Sequence, residues 1–338
     1  MIVVHAASAI TPVGLSLVDT MAAVYTKVQL FEALDVLDSD GEPLSGMKVR
    51  FEGELAGPER LIAMTNAVVD ECTLTLNSGD KVPLILCCPE VGVFGNDDSF
   101  PARLLSTVIA ESAIPLDKAR SRVIAGGRSG VLEALGAALA MLKDGSVPYC
   151  LVGGVDSFVD RRRLEKICTE NRLITENNKD GFIASEAGAM LLLSSRPDAD
   201  AMAVWLGAAG GKEEATRENG RPTSGTGMQE SIVKALAQAS VPFEGLSCVA
   251  HDFSGEERFF DELNLAVSRI ARGKPRCSTA DPGFSVGETG AAAAFLSIAL
   301  LAFLHWKDVN KSPSLGVLSA DSSERGAVVL GPLSTHRE

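Results

Sequence analysis

The sequence predicts an α/β fold in which helices cover a sheet, and three observations predict it. Short aliphatic or β-branched runs alternate along the chain with longer stretches of helical pattern. The 338 residues, 46% hydrophobic and 22% charged, suffice to bury a substantial core. The chain also repeats itself. The unit "GGRSGVLEALGAALAMLKDG" with the strand "PYCLVGGVDSF" has a counterpart in "VGETGAAAAFLSIALLAFLH" with "PSLGVLSADSS". Each is a glycine turn, a small-residue helix and a strand, which predicts two halves packed about a pseudo-twofold axis. Residues 1–200 and 201–338 are expected to form these halves within one compact unit.

In chain order, the aliphatic run "IVVHA" marks a strand over Ile2 to Ala6, and helical spacing follows over Leu17 to Tyr25 and Pro58 to Leu76. "PLILCC" marks a strand from Pro83 to Cys88, then a helix from Pro101 to Ser112 and a strand "SRVIA" from Ser121 to Ala125. The first repeat unit supplies a helix over Gly130 to Lys143 and a strand over Tyr149 to Gly153. Aliphatic runs at Ala189 to Leu193 and Ala203 to Ala208 read as strands, and the polar stretch 210–227 reads as a loop. The second half continues with a helix at Gly227 to Ala239, a strand at Leu246 to Ala250 and a helix at Glu257 to Arg272. A helix at Gly290 to Leu304 and strands at Ser314 to Leu318 and Gly326 to Leu330 complete it. The apolar stretch from Gly290 to Trp306 is 17 residues long, short for a bilayer span, and reads as a buried helix.

A formal charge of −13 opposes nonspecific attraction to nucleic acid or anionic lipid. Seven cysteines, an odd number and mostly in apolar strings, read as buried thiols of a reducing compartment. No C-x-x-C pair or histidine cluster supports a metal site, and no cofactor motif is present. The first residues lack a signal-peptide pattern, so the cytoplasm is the expected location.

Several segments carry a resemblance to the β-ketoacyl synthases of the thiolase-like superfamily. "VVHAASAITPVG" resembles that family's first strand and its Thr-Pro-x-Gly turn (Thr11, Pro12, Gly14). "VGGVDSF" resembles the strand that follows the nucleophile helix. "NNKDGFIASEAGAMLLL" matches the family's Asp-Gly-Phe and following pattern through Asp180, Gly181, Phe182, Glu186 and Gly188. "VAHDFSGEERFFDE" is similar to the first catalytic histidine segment, with His251 in that place and Asp261 at the later acid.

The resemblance implies a thiolase-like duplicated α/β/α fold and a chemistry that depends on a cysteine thiolate at a helix N-terminus. Two histidines then promote decarboxylation and carbon–carbon bond formation. Here the nucleophile position is Gly127, within Gly126-Gly127-Arg128-Ser129-Gly130. The second histidine position is Gly287, three residues before Gly290-Ala291-Ala292. The usual lysine is missing from "STADPGFSVGETG", and "SADSSERG" replaces the glycine-rich gating loop. Four losses in one site argue against a condensing enzyme.

Other roles for the remaining residues stand beside this. Ser129 is either a weak nucleophile activated by His251 or a small residue capping the helix. The glycine turn with Arg128 could bind an anion. His251 either polarises a thioester carbonyl or is a polar core residue held by backbone or by Asp252. His5, His305 and His336 have no partner pattern. Arg161, Arg162 and Arg163 form the clearest basic run, either a solvated face or a docking patch for an acidic acyl carrier protein.

Two functions from different classes are therefore expected to compete. One is a non-condensing partner of a ketosynthase or acyl carrier protein, analogous to chain-length factors. The other is a thioester decarboxylase or hydrolase dependent on His251. A scaffold or chaperone-like role without acyl chemistry is a third, with mild support from a chain short for a ketosynthase. A homodimer or heterodimer is expected from the resemblance.

Overall fold

A computed structural model describes residues 1–77, 79, 81–93, 98–196, 199–217, 219–271 and 277–333. In the first half, β1 (Ile2–Ile10) is followed by α1 (Leu17–Thr26), the hairpin β2 (Glu32–Leu37) and β3 (Pro43–Gly46), and α2 (Pro58–Thr73). Then come β4 (Leu84–Cys87), α3 (Phe100–Glu111), β5 (Arg122–Ile124), α4 (Val131–Lys143), β6 (Tyr149–Ser157), α5 (Arg161–Thr169) and β7 (Glu186–Ser194). The second half runs β8 (Ala203–Lys212), α6 (Thr226–Ala239), β9 (Cys248–His251), α7 (Glu257–Ile270) and β10 (Ser278–Ala280). It ends with α8 (Pro282–Val286), α9 (Ala293–Trp306), β11 (Ser314–Ser319) and β12 (Glu324–Gly331).

Ten of these strands form one sheet in the order β10-β9-β11-β12-β8-β1-β7-β6-β4-β5. From the β5 edge inward the first half reads β5, β4, β6, β7, β1, with two parallel and then two antiparallel pairings. From the β10 edge the second half reads β10, β9, β11, β12, β8 with the same pairings. The halves meet where β1 and β8 pair antiparallel, from Ile2↔Trp205 to Val4↔Ala203. A twofold rotation between those two strands superposes the two strand orders, which is the duplication that the repeated glycine-helix-strand units predict.

Period-two alternation sends each strand's side chains to two cores. In β4, Leu84 and Leu86 pack with α2 and α3, whereas Ile85 and Cys87 pack into the core that holds α4 and α9. In the second half, Val249, Leu315 and Val317 pack with α6 and α7, while Cys248, Ala250 and Leu318 join the α4 and α9 core. Helix α9 therefore has apolar neighbours on all sides, which explains its uniformly apolar sequence. No helix among the described residues is long and apolar enough to cross a membrane.

The predicted strands and helices are all present. Arg272, expected to end α7, lies outside the described residues. Three differences matter. The polar stretch expected to be a loop from Gly210 begins inside β8, because Gly210, Gly211 and Lys212 pair with Gly326, Arg325 and Glu324. The β2–β3 hairpin and α5 were not expected. They bring Leu34, Val36, Leu44, Leu164 and Ile167 together with Phe158 and Phe182 in a small separate core. The short β10 and α8 were also not expected, and each is too brief to leave a periodic signal.

Candidate functional site

A cleft of about 650 Å³ opens where the carboxyl ends of β4, β5, β6, β9 and β11 converge, the place where open α/β sheets bind ligands. These are the parallel strands of both halves. Its walls are Glu90 after β4, Gly126, Arg128 and Ser129 after β5, Asp156 and Phe158 around the end of β6, and Phe253 to Glu256 after β9. Glu288, Gly290, Asp321 and Ser322 close it from the second half, and Arg162, Arg163 and Lys166 of α5 line one side.

Gly127 begins a 3₁₀ turn, Gly127–Gly130, that feeds α4. Its φ of 52° is left-handed, and its amide donates to the Cys88 carbonyl at 3.0 Å. A Cβ on Gly127 would stand 2.6 Å from Glu90 Cδ. The volume of a side chain at this position is thus already held by the Glu90 carboxyl. That carboxyl is half-exposed to the cleft, and its nearest cation is Arg163 at 3.8 Å. Its pKa is raised, first because the cleft walls remove it from bulk water and then because Asp156 adds a like charge. Cys88, the thiol beside this turn, is fully buried, and burial pushes its pKa up to about 12. It does not substitute for the missing nucleophile.

Arg128 turns inward, its Nε and NH2 hydrogen-bonded and its NH1 left with only a 3.3 Å approach to Asp252 Oδ2. Its Nε lies 3.0 Å from Glu288 Oε1, its NH2 2.6 Å from Glu288 Oε2, and the same NH2 donates to the Asp252 carbonyl at 2.7 Å. Glu288 further accepts from Ser254 Oγ at 2.7 Å and from the Gly290 amide at 2.8 Å. The guanidinium of the glycine turn, expected to meet an anion, is paired within the protein with Glu288 and Asp252. Arg172 is treated likewise, by Glu256 and Asp321 at 2.6 and 2.8 Å.

Gly287 is a positive-φ residue at 77° that ends α8, and a Cβ there would meet Met47 Cε at 2.8 Å and the Ile183 carbonyl at 2.9 Å. No side chain fits, and Gly287 does not line the cleft. His251 ends β9 with 3% exposure, stacked on Phe253 at 4.1 Å and edge-on to Phe260 at 5.3 Å. Its Nδ1 has no hydrogen-bond partner among the described residues, and burial lowers its pKa, so the ring stays neutral. His251 does not itself line the cleft, although the Phe253 ring stacked on it does. Asp252 does not hold it: the Asp252 carboxyl accepts from the Ser319 amide and hydroxyl instead.

The hydroxyl of Ser129 faces the cleft, but its partner is Ser322 Oγ at 2.7 Å, and neither helix start nearby has a side-chain cap. Ser129 therefore caps neither helix start, and its hydroxyl meets Ser322 rather than His251. In the basic run, Asp160 caps α5 by accepting from the Arg162 and Arg163 amides. Arg161 is exposed and pairs with Glu165 at 2.9 Å. Arg163 is buried, paired with Asp156 and lying over the Phe158 ring at 3.4 Å, so it cannot join a surface patch. Arg162 and Lys166, one turn apart and exposed, have no ion pair among the described residues and stand at the cleft.

The outer matches behave as framework. Asp180 accepts from the Glu257 amide at 2.7 Å and so caps α7. Glu186 is wholly buried and holds Arg60, Ser157 and the Val49 amide. Asp261 is exposed, while its neighbour Glu262 is the acid that enters the core and pairs with Arg325, both fully buried. His5 and His305 bond to Thr75 and to Asn310 and Ser314, and His336 lies outside the described residues. All seven cysteines are free. Glu90, Asp156, Glu288 and Ser322 were missed by sequence reading. The available signal was their place at or just after apolar strands for Glu90, Asp156 and Ser322; Glu288 follows α8 and had none.

Chemically, the cleft offers carboxyls, guanidinium groups and hydroxyls beside an apolar lining that includes Phe158, Phe182, Phe253 and Phe259. Among the described residues that line it there is no thiol and no histidine.

The sequence matches no family model and no curated protein. Solved structures do match. A chain of the ishigamide ketosynthase/chain length factor is 15% identical with a TM-score of 0.79, covering 98% of this chain and 99% of that one. A structure of a ketosynthase in complex with its chain length factor from Xenorhabdus doucetiae is 15% identical with a TM-score of 0.73, covering 98% of each chain. The oxazolomycin ketosynthase domain of Streptomyces albus JA3453 is 13% identical with a TM-score of 0.79, covering 100% of this chain and 76% of that one. The likeness runs over nearly the whole chain, and the chain has the fold of these ketosynthases.

Proposed function

We propose that the chain is a non-condensing, ketosynthase-like accessory subunit of polyketide-type or fatty-acid-type acyl metabolism, in the manner of a chain-length factor. The observation that carries this reading is the occupied nucleophile position: Gly127 has no side chain, and the Glu90 carboxyl stands in the space one would need. A fold kept over its whole length beside a site with no cysteine at the nucleophile position is what a partner subunit requires. The ketosynthase:chain length factor complexes among its structural neighbours support the same direction.

The partner in this reading is a cysteine-bearing ketosynthase, met as a heterodimer, or a second copy of this chain. The short edge strand β5 is the open end of the sheet on the side of the nucleophile turn, which makes it the natural place for strand pairing between subunits. An acyl carrier protein, being acidic, would meet Arg162 and Lys166 at the cleft mouth. Arg161 has an acidic neighbour and Arg163 is buried. The chain divides near residue 200 into its two halves, and the cytoplasm is its place of action.

Affinity capture of the tagged chain from its native host tests the reading. Recovery of a cysteine-bearing ketosynthase or an acyl carrier protein supports it, and the chain alone or unrelated proteins would overturn it in favour of a scaffold. The hydrolase or decarboxylase built on His251 is less supported, because that ring is buried behind Phe253 and does not itself line the cleft.

A further inference from the structure

One group in the cleft has the surroundings of a working nucleophile. Ser129 Oγ lies 2.7 Å from Ser322 Oγ, and Ser322 donates to Glu324 Oε2 at 2.5 Å. With Ser322 committed as donor to the carboxylate, its oxygen is left to accept, so the Ser129 proton points along the chain Ser129→Ser322→Glu324. The three residues come from both halves: Ser129 from the turn before α4, Ser322 from the β11–β12 turn and Glu324 from the start of β12. Ser129 and Ser322 line the cleft. Glu324 is half-buried behind them, and the Ser322 hydroxyl holds its carboxyl below the usual carboxylate range, so it is ionised at neutral pH.

We propose that Ser129 is a nucleophile that accepts acyl groups from thioesters and passes them to water, with Ser322 and Glu324 as its proton relay. Ser129 Oγ attacks the thioester carbonyl carbon while its proton passes to Ser322 and the Ser322 proton passes to Glu324. The carbon–sulfur bond breaks and the sulfur leaves as a thiolate, a good leaving group near neutral pH, which takes a proton from solvent as Glu324 returns its own. Water then attacks the seryl ester, releasing a carboxylic acid and restoring the hydroxyl. The assignment does not rest on the accessory-subunit reading, since every group lies within this chain.

The purified full chain is treated with a fluorophosphonate, which modifies activated serine hydroxyls, and the adduct is located by peptide mass spectrometry. Release of thiol from a hexanoyl-pantetheine thioester is followed in parallel. The expected result is a single adduct at Ser129 that is lost on prior denaturation. Ser129→Ala should abolish both signals with an unchanged thermal melt, and Glu324→Gln should slow both by roughly tenfold or more. No adduct on the native chain, an adduct elsewhere, or equal rates in Glu324→Gln would overturn the proposal. Partner capture does not read Ser129, so the two readings fail separately.

Discussion

The two halves carry the same backbone device and use it differently. Gly127 and Gly290 each open a 3₁₀ turn ahead of a core helix, at φ 52° and 50°. A Cβ on either would stand 2.6 Å from a carboxyl carbon, Glu90 Cδ in one case and Asp156 Cγ in the other. Asp156 is wholly buried, accepts from the Ala291 amide at 2.9 Å and pairs with buried Arg163. Glu90 is half-exposed and only loosely paired. Both turns border the cleft, but the second is also a joint that ties β6 to the turn before α9, while the first leaves its carboxyl loosely held. One duplicated feature is structural where its carboxyl is sealed and available for chemistry where it is open.

Asp156→Ala should have the largest effect. It leaves a buried guanidinium without its carboxylate and an amide without an acceptor, at a cost of about 3–5 kcal/mol. Glu90→Ala should cost no more than about 1 kcal/mol. Denaturant midpoints of the two variants check the contrast, and equal losses would erase the distinction between the two turns.

Alanine at the two glycines sharpens it. Each substitution forces a left-handed alanine, worth roughly 1–2 kcal/mol. At Gly290 the pinned Asp156 cannot withdraw, so overpacking adds about 1–3 kcal/mol, whereas Glu90 can swing into the cleft ahead of Gly127→Ala. Gly290→Ala should therefore melt well below Gly127→Ala, and the reverse order would contradict the assignment of the fixed partner.

Much of this architecture was readable because apolar strands and helices announce themselves by period. Gly127 and Gly287 were found by motif, since a lost residue still has neighbours that fix its place. The carboxyls were not found, for a physical reason. Glu90, Asp156 and Glu288 are distant in sequence and meet only when the strand ends converge. Likewise "DRRRLEK" reads as a solvated charge run, and only the fold reveals that Arg163 turns inward over Phe158 while Leu164 and Ile167 anchor a nine-residue helix. Acid against acid is equally ambiguous: Asp261 and Glu262 differ by one position, which on a helix decides between solvent and a buried partner.

Restoring the nucleophile is the next, smaller test. In Gly127→Cys the new thiol lies against the Glu90 carboxyl, whose charge disfavours the thiolate. Adding Glu90→Ala removes that charge and the crowding. The double variant should react with iodoacetamide roughly tenfold faster than the single one, the change that one pKa unit gives. Equal rates would show that Glu90 does not govern this space.

The smallest effect belongs to His251, which ends β9 in the second half as Cys87 ends β4 in the first. Burial lowers its pKa, so the unfolded chain binds its proton more readily than the native chain. Its contribution is therefore present above the unfolded value near 6.5 and is lost as pH falls toward the lower folded value. A phenyl ring can take the imidazole's place between Phe253 and Phe260, giving up two ring nitrogens, of which Nδ1 has no partner among the described residues. His251→Phe should change stability by less than about 1 kcal/mol at neutral pH. On the acid side it should flatten the fall that the unmodified protein undergoes. Unfolding free energies measured in parallel across the acid range decide it: an unchanged slope would mean that His251 remains solvated and protonatable in the native protein, and would return it to the cleft chemistry that its burial behind Phe253 disfavours.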